Sequence, residues 1–148
     1  AVAFAADGRL ASASWDGSVA VWGAEGQEHR RLEKAHGGKQ VTAVAFAADG
    51  RLASAGEDGS VAVWGAEGQE PRRLEKAHGG KQVTAVAFAA DGRLASAGED
   101  GSVAVWGAEG QEHRRLEKAH GGEGVLAVAF AADGRLASAG LDGSVAVW

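Results

Sequence analysis

AVAFAADGRLASASWDGSVAVWGAEGQEHRRLEKAHGGKQVT, residues 1 to 42, carries the architecture, because the chain then writes it out again. Copies run over 43–84 and 85–126, and the first 22 positions return over 127–148. A fixed period of this length marks stacked or radially repeated units, each burying apolar surface on its neighbours. Departures fall in a few columns. Ser14-Trp15 becomes Gly56-Glu57, Gly98-Glu99 and Gly140-Leu141, while His29 becomes Pro71 and then His113. Lys39-Gln40-Val41-Thr42 recurs at 81–84 and then becomes Glu123-Gly124-Val125-Leu126.

Within one period the pattern is that of strands. Ala1 to Ala5 alternates large and small apolar residues, with the period of two that a pleated strand imposes. Asp7-Gly8 and Asp16-Gly17 are turn pairs that reach positive φ at low cost. They bracket a second strand over Arg9 to Ala13 and precede a third over Ser18 to Trp22. Gly23 to Gly26 is a polar turn, followed by a charged fourth strand over about Gln27 to Leu32. The result is a four-stranded antiparallel unit with a polar outer edge. Its inner strands are apolar on both faces, so such sheets need cover on two sides. A helical reading fails, since turn pairs interrupt any 3.6-residue stripe.

Composition narrows the function classes. The net charge of −5 disfavours nucleic acid, whose binding rests on clustered Lys and Arg. Without cysteine there are no disulfides, thiolate catalysis or Cys-ligated zinc. No apolar run approaches the ~20 residues that span a bilayer, and residues 1 to 22 belong to a repeat and not to a signal peptide. No membrane association and a cytoplasmic location are therefore expected. The narrow alphabet, without Cys, Met, Tyr, Asn or Ile, fits either GC-rich bacterial coding or an idealised, designed sequence.

His36, Val44-Ala45-Phe46, Asp49-Gly50, Leu52-Ala53-Ser54, Asp58-Gly59 and Val63-Trp64 follow one another in an order and spacing that resemble the WD-repeat β-propeller family. The resemblance runs through the whole chain. Gly after each Trp, where the family usually has Asp, and Ala35 before His36, where Gly is common, are departures. The resemblance implies an all-β fold of four-stranded antiparallel blades, about four per chain, the last lacking its outer strand. The expected organisation is a single domain, 1–148, with repeats 1–42, 43–84, 85–126 and 127–148. It also implies hydrogen-bonded tetrads of structural purpose: His36, Ser54, Asp58 and Trp64; His78, Ser96, Asp100 and Trp106; His120, Ser138, Asp142 and Trp148. The first blade has Ser12, Asp16 and Trp22 without a preceding His.

A His, a Ser and an Asp together suggest a hydrolase triad, but a catalytic site is one asymmetric constellation and this set recurs in every unit. No catalytic residue, cofactor or metal site is expected, and His29, His36, His113 and His120 are read as surface side chains and tetrad members. The Arg30-Arg31 and Lys34 cluster, balanced by Glu28 and Glu33, reads as a solvated edge that deters stray strand pairing. The column Trp15, Glu57, Glu99 and Leu141, with Lys39, Lys81 and Glu123 in the connections, is the candidate partner surface. In the family these regions lie on the narrower top face. The expected function is a non-catalytic scaffold for protein–protein interaction. The alternatives are a self-assembling, designed or recently amplified repeat scaffold, and a regulatory propeller belonging to a larger multidomain protein. A closed four-blade ring looks strained, so the expectation is a homo-oligomer completing a larger ring or a portion of a longer array.

Overall fold

The computed structural model describes residues 1–67 and 71–148. Among them are fifteen strands and no helix. They are β1 (Val2–Phe4), β2 (Leu10–Ala13), β3 (Val19–Trp22), β4 (Glu28–Leu32), β5 (Val41–Phe46), β6 (Leu52–Gly56), β7 (Val61–Trp64) and β8 (Arg72–Leu74). They continue as β9 (Val83–Phe88), β10 (Leu94–Gly98), β11 (Val103–Trp106), β12 (Glu112–Leu116), β13 (Val125–Phe130), β14 (Leu136–Gly140) and β15 (Val145–Val147). Successive strands pair antiparallel into three four-stranded sheets, β1–β4, β5–β8 and β9–β12, and a three-stranded sheet, β13–β15. The glycines of the Asp-Gly turns take up the positive φ that closes each hairpin, +89° at Gly8 and +83° at Gly17.

The sheets stand like blades, with inner strands β1, β5, β9 and β13 side by side. One face of each blade packs on the opposite face of the next. Ala11, Val19 and Val21 of the first meet Val44, Leu52 and Trp64 of the second, and the later junctions repeat the arrangement. Arginine and aromatic rings tie the same junctions: Arg9 lies over Phe46, Arg51 over Phe88 and Arg93 over Phe130, each within about 5.5 Å of the ring centre.

Thr42 and Thr84 sit where the pairing of inner strand and neighbour slips by one residue. The bulge turns each hydroxyl toward the next blade. Thr42 Oγ1 then donates to the carbonyls of Ala55 in its own blade and Val83 in the next, and Thr84 repeats this with Ala97 and Val125. Leu126 holds the same bulge position in the last blade without a hydroxyl.

Cover decides what each copy of a residue does. Val103, between the third and fourth blades, is fully buried, whereas its copy Val145 on the last blade is 72 % exposed. Val103→Ala should therefore cost about 2 kcal/mol or more in denaturant unfolding through lost burial and a cavity. Val145→Ala should cost under about 0.5 kcal/mol, as exposed substitutions usually do. Equal losses at both positions would contradict the blade-on-blade core.

Candidate functional site

The connection after each outer strand carries a His into the blade that follows. Beyond β4 the chain turns through Lys34 (φ +50°) and reaches His36, then Gly37 and Gly38 with φ of +62° and +83°. His36 is fully buried. Its Nδ1 lies 3.0 Å from Asp58 Oδ1 and 3.0 Å from Ser60 Oγ, and its Nε2 lies 2.9 Å from Ser54 Oγ. Trp64 Nε1 donates to the same Ser54 Oγ at 3.1 Å. His78 is arranged alike with Asp100, Ser96 and Trp106, and His120 with Asp142, Ser138 and Trp148. In the first blade the Trp22 to Ser12 bond is present at 2.9 Å, while Asp16 caps Ser18.

The structure adds members that the repeat alone did not single out. Ser60, Ser102 and Ser144, each two positions past the turn Asp, bond both its carboxylate and the imidazole Nδ1. Their signal was the invariant Asp-Gly-Ser. Arg73 and Arg115 correct the reading of the outer strand as a merely solvated face. Arg73 Nη1 donates to Ser60 Oγ at 3.2 Å, and its Nη2 donates to the Ala35 carbonyl at 2.8 Å. Arg115 does the same with Ser102 and the Ala77 carbonyl. A long side chain thus reaches inward and braces the His-bearing connection of the preceding blade.

Gly56 explains one of the variable columns. A Cβ placed there would lie 2.5 Å from His36 Cγ, far inside contact distance, and Gly98 and Gly140 are pressed equally by His78 and His120. In the first blade the residue at this place is Ser14. Its neighbour Trp15 is 80 % exposed, with its Nε1 donating to the Gln40 side chain at 3.0 Å while the Gln40 amide reaches Glu57.

Charge follows burial. Burial lowers the His36 and His78 pKa below the ordinary 6.5, against the opposing pull of Asp58 and Asp100. The same burial pushes the Asp58 and Asp100 carboxyls up, but hydrogen bonds from Ser60 and Ser102 and the nearby His residues outweigh it and hold them below 3.8. Each imidazole already has both nitrogens engaged and no opening to solvent, so the groups lock one blade to the next. Among the described residues no cluster of three or more His, Cys, Asp and Glu suits a metal ion.

The candidate partner residues share one rim. The Asp16-Gly17 turn lies against Gly38 and Lys39. Backbone bonds from Val41 to Ser14 and from Glu57 to Gln40 tie the β2–β3 turns to the connections between blades. Trp15, Glu57, Glu99 and Leu141 thus stand beside the segments holding Lys39, Lys81 and Glu123.

Two outcomes follow. Gly56→Ala should cost about 1–3 kcal/mol by overpacking the ring, and Ser54→Ala a similar amount by orphaning the indole N–H and the imidazole Nε2 acceptor; Ser14→Ala should be nearly neutral in the same melts. The second concerns pH. His36 and His78 bind protons more weakly folded than unfolded, so acid favours the unfolded chain. The melting temperature should hold above the ordinary His value of 6.5 and fall as pH drops through the lower native values. A second decline should come below 3.8, as Asp58 and Asp100 protonate. A melting temperature that rises between pH 7 and 5 would refute this assignment.

A comparison with the curated proteins finds no match. The family model described as WD domain, G-beta repeat matches residues 1–23, 27–65, 69–107 and 111–148. The first matched unit covers β1–β3, and the other three each span the outer strand of one blade and end at the third strand of the next, so the family's unit and the blade are offset by one strand. With four matches across nearly the whole chain, and a buried imidazole in each of the last three, the chain belongs to the WD domain, G-beta repeat family.

Proposed function

We propose that this chain is a non-catalytic cytoplasmic scaffold that binds protein partners through the rim carrying Trp15, Glu57, Glu99 and Leu141. The observation that carries this reading is where the variation falls. Repeats otherwise nearly identical differ at this column, and two of the substitutions place large apolar side chains in solvent, Trp15 at 80 % and Leu141 at 62 % exposure. Exposed aromatic and aliphatic groups amid charges are common anchors of protein contacts. The His, Ser and Asp groups are spent on holding blades together, which supports a role without chemistry.

A second reading rests on the two end faces. Val2 and Phe4 on the first blade are exposed, Phe4 to 75 %, where their copies Val44 and Phe46 are covered by a neighbour. On the last blade Arg135 is 66 % exposed, whereas Arg9, Arg51 and Arg93 each cover a Phe of the following blade. The last face of one copy therefore matches the first face of another, and head-to-tail contact extends the blade stack into a larger ring or an open chain.

One pair of measurements separates the readings. Trp15→Ser with Leu141→Ser should weaken capture of partners from the source lysate while leaving the melting temperature within a few degrees. Unchanged capture removes the case for that rim. Native mass spectrometry should show multiples of the 14.9 kDa chain, reduced to the single chain by Phe4→Asp; a monomer at all concentrations ends the end-face reading.

A further inference from the structure

On the opposite rim, where the β1–β2 and β3–β4 turns and their copies lie, a cleft opens between each pair of blades. The three are built from equivalent residues, yet their sizes differ. The first, lined by His29, measures about 140 Å³, and the third, lined by His113, about 70 Å³. The second, between the second and third blades, measures about 390 Å³. The repeat places Pro71 there where the other copies have His.

The cause is local. His29 is the extra residue of a bulge, since pairing passes from Val21↔Arg30 to Trp22↔Glu28, and His113 holds the same place against β11. A bulge suits Pro, which donates no backbone hydrogen bond, but Pro lacks the imidazole that His29 and His113 add to the lining of their clefts. The strand on this side starts at Arg72. In the first cleft Arg30 lies 5.9 Å from the centre of the Trp64 ring. Its copy Arg72 instead reaches across to the Ala108 carbonyl at 3.3 Å, and Trp106 becomes part of the wall.

Arg51 arrives at the same carbonyl from its own side. Its Nη1 is 3.4 Å from the Ala108 oxygen and its Nη2 3.5 Å from that of Gly92, both long bonds, while its Nε pairs with Asp49. Two guanidinium groups thus converge on one neutral oxygen, each with donors to spare. Among the described residues no carboxylate lines this cleft, whereas Glu67 lines the smaller first one. The remaining wall is apolar and aromatic, with Leu74, Phe88, Leu94 and Trp106.

We propose that this cleft is a binding site for a small aromatic carboxylate, its ring along the apolar wall of Leu74, Phe88, Leu94 and Trp106 and its anionic group between Arg51 and Arg72. The volume lies within the roughly 300–1,000 Å³ usual for small-ligand sites, and paired guanidiniums are the donors best matched to a carboxylate. The site is independent of the Trp15 rim.

The probe is 2-naphthoate, titrated into the full chain by calorimetry, with neutral 2-naphthamide as its partner. One saturable site is expected, with Kd on the order of 10⁻⁴–10⁻³ M for a ligand of this size. Arg72→Gln and the neutral amide should each weaken binding about tenfold. Pro71→His, which installs a residue that two other repeats already carry, should abolish binding while keeping the melting temperature. Absence of saturable binding to the unaltered chain overturns the proposal. So does naphthoate binding that survives Pro71→His or ignores Arg72→Gln.

Discussion

A β-sheet that is apolar on both faces has no stable place in water until each face is covered. Val19 and Val21 point one way in their strand and Ala20 and Trp22 the other, so a lone blade would leave one set wet. Everything else is arranged around covering them. The blades present complementary faces because they are copies, and one solution to packing serves at every junction. Arg over Phe and Thr across the bulge repeat for the same reason. The last blade shows the converse, since Val145 has the same sequence neighbours as Val103 and lacks only cover.

The buried imidazoles turn this stacking from greasy contact into a directed one. Apolar faces slide, whereas a ring that must meet a carboxylate on one side and a shared hydroxyl on the other admits one register. Gly56 sharpens the requirement, because only a residue without a side chain leaves room for the ring. The carboxylate end is partly open to solvent, with Asp58 about a quarter exposed, and the hydroxyl end is sealed. Burial thus selects the neutral ring, and the hydrogen bonds from Ser60 keep the carboxylate charged.

Much of this was legible in the bare chain. Strands were marked by alternation and by Asp-Gly pairs, and the observed elements fall within a residue or two of those marks. The grouping of His36 with Ser54, Asp58 and Trp64 came from resemblance and not from spacing, because partners 10 to 24 positions apart meet only through strand pairing. Less legible were contacts made by long side chains. Nothing in the run Glu-His-Arg-Arg-Leu separates an Arg that faces water from one that reaches back to a carbonyl 38 positions earlier. Direction along a strand depends on the bulge, and the bulge shows only in the pairing. Likewise Pro71 stood out only as a variable position, since the cleft on that side is lined by two blades at once.

The one-strand offset between the family's unit and the blade has a genetic corollary. The family unit 27–65 brings the imidazole of His36 together with the Ser54, Asp58 and Trp64 that receive it, and the two units after it do likewise. Unequal crossing-over between such copies gains or loses a whole lock with its key, and the seam falls in register wherever the exchange occurs. Near-identity of the copies makes that exchange easy, so the length of an array of this kind can change in whole steps without a single mispaired strand.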